Sequence, residues 1–473
     1  MKVENIDVTS SINNIRNLLK KDKTVSPAIV ASIELLITVV TILLNQKNLN
    51  SRNSSKPPSQ DPNRLRKTRK DKGQKRGKKK PGGQKGHPGA NLKPVEIPDE
   101  IEEILIDRRT LPSGEYTQIG FEKRQVFDIK VSMKVTEHQG ELLEDQNGNQ
   151  WIANFPEGIN NPTQYGNEVK SQSVYMSQFQ LVPQLRVTDY FNDQLGLPIS
   201  KASIQNFNQE AYKRLEDFEA WAKRMLLNSP LNNADETGVN VNGNRFWFHL
   251  LSNTQIALYE VDEKRGAEAM DRMGILPRYK GILCHDHWKP YYRYNCIHCL
   301  CNAHHLRELE RAWEQDGQKW AKKMKALLEE INEKVKKTKT GKLSKKKIRY
   351  YQKRYRMILS KGEKECPLVT PNGKRGRTKQ SKSRNLLDRL KDFEDDTLRF
   401  MKETLVPFTN NRAENDLRMT KVQQKISGCF RSLGGAKVFC RIRSYLVTCR
   451  KNGVSPTDAL RLLFEGKLPN FVT

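Results

Sequence analysis

Three acidic residues carry the chemistry this sequence offers most directly. Asp235 stands in Asn232-Asn-Ala-Asp235-Glu236-Thr237-Gly238, Asp286 in Gly281-Ile-Leu-Cys-His-Asp286-His-Trp288, and Glu414 in Asn410-Asn-Arg-Ala-Glu414-Asn-Asp-Leu-Arg418. Carboxylate oxygens are the preferred ligands of Mg2+, which keeps several waters when bound. Two such ions about 3.5–4 Å apart activate an attacking oxygen and stabilise a leaving one. Three carboxylates delivered to one point therefore read as a phosphoryl-transfer site, with Mg2+ as cofactor and Mn2+ as a substitute. A lone aspartate at a strand end is as readily a cap or a surface acid. The order strand-Asp, strand-Asp, helix-Glu is what gives the grouping its specificity. Asp262 and Asp416 are the next acids in line.

The elements that must position these groups are legible in the pattern. Residues 232–241, 244–251 and 255–261 alternate apolar and polar, and Asn242-Gly243 is a hairpin signal between the first two. Asp235 thus sits near the start of three consecutive antiparallel strands, followed by a helix over 263–273. The apolar run before Asp286 predicts a buried strand parallel to the first, with the carboxylate at its C-terminal end, where open α/β sheets place their chemistry. Residues 296–301 predict a further strand and 302–313 a helix. Glu414 falls on the first or second turn of a helix with an asparagine cap. Arg418, Lys421 and Lys425 follow it at intervals of four, three and four, on one helix face. They suit either phosphate contacts or counter-charges for the acids.

The rest of the chain divides by composition. Residues 1–50 read as helical, with Ser26-Pro27 starting an apolar helix over 28–44. That run is shorter than the ~20 residues a membrane span needs and carries Glu34, so burial against a partner helix is the expectation and a membrane the rival. Residues 51–95 are a flexible basic linker. Between Arg52 and Lys93 there are 15 Lys/Arg against 2 Asp, including Lys78, Lys79 and Lys80, an arrangement made for phosphate contacts. Residues 96–150 predict a small β-rich module, with a half-buried strand over 126–135 and a hairpin turn at Asn147-Gly148. Residues 151–228 are helical, and 186–195 followed by 201–215 form a helix-turn-helix pattern that fits a DNA groove or plain helix packing equally well. Residues 229–440 hold the three acids, and 441–473 form a helical tail. Within the acid-bearing region, 305–400 read as a helical insertion. Its stretch 334–356 has 12 Lys/Arg and no acid, a surface for DNA or a solvated face.

Cysteine and histidine cluster over 284–305. Cys296-x-x-Cys299 has zinc-ligand spacing, but strand alternation sends the two thiols to opposite faces, and buried core thiols are the alternative. Eight cysteines in 473 residues, with no apolar secretory start, point to a reducing cytosol. The net charge of +30 points to a polyanionic partner.

Taken together, Ser54-Ser-Lys-Pro-Pro-Ser59, residues 82–89, Ala234-Asp-Glu-Thr-Gly238, Cys301-Asn-Ala-His304, Asn410-Asn-Arg-Ala-Glu414 and Arg443-Ser-Tyr-Leu-Val-Thr-Cys-Arg-Lys-Asn-Gly-Val-Ser-Pro456 resemble the insertion sequence 66 transposase family, from about residue 50 to the C-terminus. The resemblance implies an α/β fold with an RNase H-like core, here interrupted by the helical insertion. It also implies a DDE triad, which transfers to Asp235, Asp286 and Glu414 and places His304 near it in support. Asp286 rests most on strand placement, because Cys-His-Asp-His-Trp matches the family only loosely. Residues 96–150 contain no cysteine, so the family's usual zinc module is absent in that form.

The expected activity is metal-dependent cleavage of transposon ends followed by strand transfer of the freed 3′-hydroxyl. The expected partners are double-stranded DNA, further copies of the chain and small companion proteins of the same element. The expected location is the bacterial cytoplasm, at the nucleoid when DNA-bound. The rivals are a nuclease without strand transfer, a catalytically dead DNA-binding regulator and, furthest off, a membrane-associated protein.

Overall fold

A computed structural model describes residues 2–3, 6–22, 24–47, 49–50, 52–54, 92–369 and 378–472. Lys78, Lys79, Lys80 and most of the basic linker lie outside these residues.

The centre is a five-stranded mixed sheet. Strands β5 (Leu231–Val241), β6 (Asn244–Ser252) and β7 (Ala257–Asp262) form the antiparallel meander expected from the alternation. The turn at Asn242-Gly243 has φ of 49° and 83°, both in the left-handed region that Asn and Gly tolerate. Strands β8 (Ile282–His285) and β9 (Ile297–Leu300) add in parallel on the far side of β5, giving the order β7-β6-β5-β8-β9. Gly281 admits β8 to this place: a Cβ there would lie 2.6 Å from the Ser229 carbonyl oxygen.

Helices cover both faces of the sheet, as a parallel arrangement requires. On one face, Ala234, Leu251, Leu258 and Leu283 pack against α3 (Asn167–Val174), α4 (Gln184–Leu195), α5 (Lys201–Arg214), α6 (Glu216–Leu227), α14 (Leu433–Lys451) and α15 (Pro456–Phe464). Short α7 (Ala267–Met273) adds Met270 and Met273 to this core. On the other face two apolar clusters meet. One joins Leu231, Ile282, Cys284 and Cys299 to α8 (Asn302–Glu314), α9 (Lys319–Lys336), α10 (Lys345–Glu365), α11 (Lys382–Asp392) and α12 (Glu394–Leu398). The other joins Val239, Phe248, Leu250 and Tyr259 to α13 (Asn411–Ser427).

The helix α14 answers the problem of an open sheet edge. Ser444 and Thr448, one turn apart, accept hydrogen bonds from the backbone N–H groups of Tyr259 (2.9 Å) and Ala257 (3.1 Å) on β7. A boundary drawn at residue 440 therefore cuts a continuous helix that caps the sheet. Residues 151–228 are likewise no separate module. Phe218 of α6 packs edge-on against Tyr445 of α14 at 5.2 Å, and α5 buries Ile204, Phe207 and Ala211 in the same core. The helix-turn-helix pattern is present as α4 and α5, with Ser200 accepting from the Ser203 N–H at 3.0 Å as the cap.

Residues 96–150 depart from expectation. Over 126–135 there is no strand; Val126, Ile129, Val131 and Val135 are exposed. Alternation is only half of what a strand needs. Its backbone groups also require a neighbouring strand, and none lies alongside among the described residues. The module reduces to one hairpin, β3 (Leu142–Glu144) with β4 (Gln150–Ile152), around Gly148 at φ 79°. At the N-terminus, short β1 (Lys2–Val3) and β2 (Ile6–Asp7) precede α1 (Val8–Lys21) and α2 (Pro27–Lys47). Arg16 of α1 and Glu34 of α2 form an ion pair at 3.1 Å. Residues 27–44 are long and apolar enough to cross a membrane by length and composition, with mean hydropathy 2.3, and almost none of this stretch is buried.

Candidate active site

Strand register brings two of the three acids together. The parallel β5–β8 ladder pairs Leu231 with Ile282, Asn232 with Leu283 and Asn233 with Cys284. Two residues further along stand Asp235, still within β5, and Asp286, just past the end of β8, close enough for the charge of one to act on the other. The chain then turns away: His287 has φ 75°, and the Trp288 N–H donates to Asp286 Oδ1 at 2.9 Å. Asp235 Oδ1 accepts from the Glu236 N–H at 2.9 Å.

The third acid arrives on α13, and Asn410 decides where. Asn410 occupies the N-cap position, but its side chain makes no cap hydrogen bond. Its Oδ1 accepts from Asn233 Nδ2 at 2.7 Å, its Nδ2 donates to the Ala234 carbonyl at 2.8 Å, and its N–H donates to Cys301 Sγ at 3.1 Å. The helix start is thus fastened to β5 at the two residues preceding Asp235. Glu414 follows in the first turn and is partly buried. Its Oε1 is 3.5 Å from the Arg307 guanidinium and 3.8 Å from His304 Nδ1.

The electrostatics are those of acids held close together. Burial, then the negative charges of Glu236, Asp286 and Glu414, push Asp235 up to about 8. Glu236 is raised by burial and by Asp286, against the pull of its hydrogen bonds from Tyr291 and Arg265. The three carboxylates converge without closing into one ligand cluster. Among the described residues, the donor atoms that all lie within 4.8 Å of one another belong to Cys301, His304 and Glu414. Glu414 Oε1 and His304 Nδ1 are also buried with no hydrogen-bond partner. Orphaned acceptors beside an excess of carboxylate fit a divalent cation: Asp235, Asp286 and Glu414 offer hard oxygens for Mg2+, and His304 adds a nitrogen that Mn2+ tolerates.

The remaining acids and bases are accounted for. Asp262 is paired with Arg272 at 2.6 Å, and Asp416 with the half-buried Lys451 at 2.7 Å, so both are tied into structural bridges. Arg418, Lys421 and Lys425 are exposed along α13. In the basic stretch 334–356, Arg354 is bonded to Glu330 and Arg356 to Glu394, so part of it balances local acids. Cys296 and Cys299 do not share a ligand cluster. Cys299 is a buried strand residue opposite Cys284. The histidines form a buried seam between sheet and helices: His285 Nε2 meets His298 Nδ1 at 3.1 Å, and burial lowers His287 to about 3.

Sequence reasoning missed four contributors. Glu236, its side chain 1% exposed, bonds Arg265 at 2.6 Å and Tyr291 Oη at 2.7 Å. Arg307 faces Glu414, and Arg389 of α11 stands near enough to Asp286 to feel its charge. Glu236 adjoins a motif residue and Arg307 lies three residues past His304, so proximity was the available signal. Arg389 and Arg265 carry none.

The family model described as Transposase IS66 family matches residues 162–438, more than half of the chain. The chain belongs to the IS66 transposase family. Residues 7–93 match a second family, DUF6444, whose function is unknown. No curated protein matches the chain. Among solved structures, a chain of the simian T-cell lymphotropic virus intasome in complex with PP2A regulatory subunit B56 gamma is 11% identical. That match covers 46% of this chain and 74% of that one at a TM-score of 0.13, too poor a superposition to bear on the fold. Membership of the IS66 family makes this a transposition-related protein that acts on DNA.

Proposed function

We propose that this IS66-family protein is a DDE transposase in which Asp235, Asp286 and Glu414 hold two Mg2+ ions. It cleaves DNA at the ends of its insertion sequence and joins the freed 3′-hydroxyl to target DNA. The observation that carries the reading is the β5–β8 register, which sets Asp235 beside Asp286 while Asn410 anchors the Glu414 helix to the same strand. We read the sheet as an RNase H-like core and α8–α12 as the helical insertion that separates the second acid from the third.

Bound divalent cations supply activation of the attacking oxygen and charge neutralisation at the leaving oxygen. The chain's own residues do the positioning. Asp235 presents its carboxylate from within β5 and Asp286 from just past the end of the neighbouring β8, fixed by the Glu236 and Trp288 backbone N–H groups. Glu414 is steered by Arg307, and His304 stands beside it as a further donor. Arg307, paired with Glu414, and Arg389, paired with Glu308, are guanidiniums beside the acids that a phosphate could engage. Arg418, Lys421 and Lys425 add exposed positive charge along α13, and Lys78, Lys79 and Lys80 of the basic linker are further phosphate contacts. The protein acts on double-stranded DNA as a homo-oligomer joined through α1 and α2, with small companion proteins of the element as further partners. Its place is the bacterial cytoplasm, not a membrane.

The test is a strand-transfer assay with end-labelled duplex carrying the element's own termini, target plasmid and Mg2+. Cleavage with joined product is expected. Cleavage without joining would mark a nuclease, and binding without cleavage a regulator.

A further inference from the structure

Next to the carboxylates, on the opposite face of β5, lies a stack of planar cations and indoles that the proposed chemistry does not use. The Arg265 guanidinium sits between two indoles, 4.8 Å from the Trp247 ring centre and 4.2 Å from that of Trp288. Arg245 lies over Trp247 at 4.6 Å. Strand pairing sets Trp247 across from Gly238 and Arg245 across from Asn240. Gly238, having no side chain, leaves room for the Arg245 side chain: a Cβ there would come within 3.2 Å of Arg245 Nε.

The stack is fastened to the site at its inner end. Arg265 is bonded to the buried Glu236, the neighbour of Asp235, and the Trp288 N–H holds Asp286. At its outer end it is open. Arg245 is exposed and has no carboxylate partner among the described residues. One of the two guanidiniums on Trp247 is thus neutralised and the other is not. From Asp235 to the residue opposite Arg245 is five residues of strand, about 17 Å, or about five nucleotide steps at 3.4 Å each.

We infer that the Arg245–Trp247–Arg265–Trp288 stack is a binding site for unpaired bases of a DNA strand flanking the carboxylates, with the Arg245 guanidinium plane as the surface on which a base lies. Unpaired bases stack on aromatic rings and on guanidinium planes, and the adjoining positive charge draws the phosphates. Glu236 and Trp288 hold the inner planes in place, so the outer plane is presented already oriented. Because the stack faces away from Asp235, it holds nucleotides beside the scissile position and not the scissile phosphate.

The inference rests on the reading of the chain as a DNA-processing enzyme, but its test needs no catalysis. An oligo-dT strand with one internal 2-aminopurine is titrated with the full-length protein in EDTA, at raised salt to weaken phosphate contacts elsewhere. Wild type should quench the fluorophore on binding. Arg245→Ala should lose the quenching and bind roughly tenfold more weakly. Arg245→Lys keeps the charge and loses the plane, so it should fail in the same way. Quenching that persists in Arg245→Ala, or full recovery in Arg245→Lys, overturns the site. A wild-type protein that quenches but never cuts DNA supports this site and refutes the enzymatic reading alone.

Discussion

Asp235 carries the sharpest single-residue consequence. Its carboxyl moves from an ordinary 3.8 to about 8, first through burial and then through its acidic neighbours. Between those two values the folded protein holds a proton that the unfolded chain has released, so stability falls as pH rises through that window. Asp235→Asn removes the penalty. Chemical denaturation in EDTA should show the variant more stable than wild type at pH 8, by on the order of 2 kcal/mol, and indistinguishable near pH 4. The figure is well below the full shift because the carboxylate still touches water. Adding Mg2+ should raise the midpoint of wild type and leave Asp235→Asn little changed. At this scale the motifs around Asp235 and Glu414 could be read from the sequence, and Asp286 was placed by the apolar run that precedes it. What could not be read were partners fixed by tertiary contact, such as Arg389, which comes from a helix about a hundred residues beyond Asp286.

At the scale of elements, Asn410 and Gly281 govern how strands and helix meet. Asn410→Leu removes two side-chain hydrogen bonds to β5 and leaves the Asn233 amide without its partner. A loss of about 1–3 kcal/mol in unfolding free energy is expected. Because Glu414 then drifts, cleavage kcat should fall further than DNA affinity. Equal losses in both would mean that Asn410 only stabilises the fold. Gly281→Ala forces a methyl against the Ser229 carbonyl and should cost about 1–3 kcal/mol, read from the denaturant midpoint. The sequence pattern anticipated the β5–β6–β7 meander, a β8 parallel to β5, a strand at β9 and the helix α8, because each has its own apolar pattern; the direction of β9 was not legible in it. It cast Asn410 as a helix cap, since that residue type usually bonds its own helix; the nearby strand takes the side chain instead. It also predicted a strand over 126–135, where the alternation is real but no partner strand completes the ladder.

For the whole molecule, sheet and helices share packed cores among the described residues from 165 to 472. Cores shared by α3–α6, α14 and α15 explain why boundaries at 228 and 440, drawn from composition, do not divide this stretch. Composition sees changes in pattern, whereas a domain is set by which faces bury each other. Outside these cores, α2 exposes Leu35, Leu36, Ile42 and Leu43. If a second copy covers that face, removing residues 1–50 should convert an oligomer to a monomer by sedimentation, with solubility kept. A truncated protein that keeps its oligomeric state would place the interface elsewhere. The charge of +30 belongs to this scale as well. Deleting 55–91 should flatten the dependence of DNA affinity on salt, because each lost phosphate contact lowers the slope by about 0.9.

The central claim is that three acids from two strands and one helix act as a unit, and Asp286 is the member placed by register more than by motif. The most direct measurement is Mg2+-dependent cleavage of labelled transposon ends by Asp286→Asn, alongside wild type and with DNA binding and circular dichroism as controls. The expected result is intact folding and binding with cleavage lost by at least about a thousandfold, a loss of about 4 kcal/mol in transition-state stabilisation. An Asp286→Asn protein that cuts within tenfold of wild type would contradict the claim.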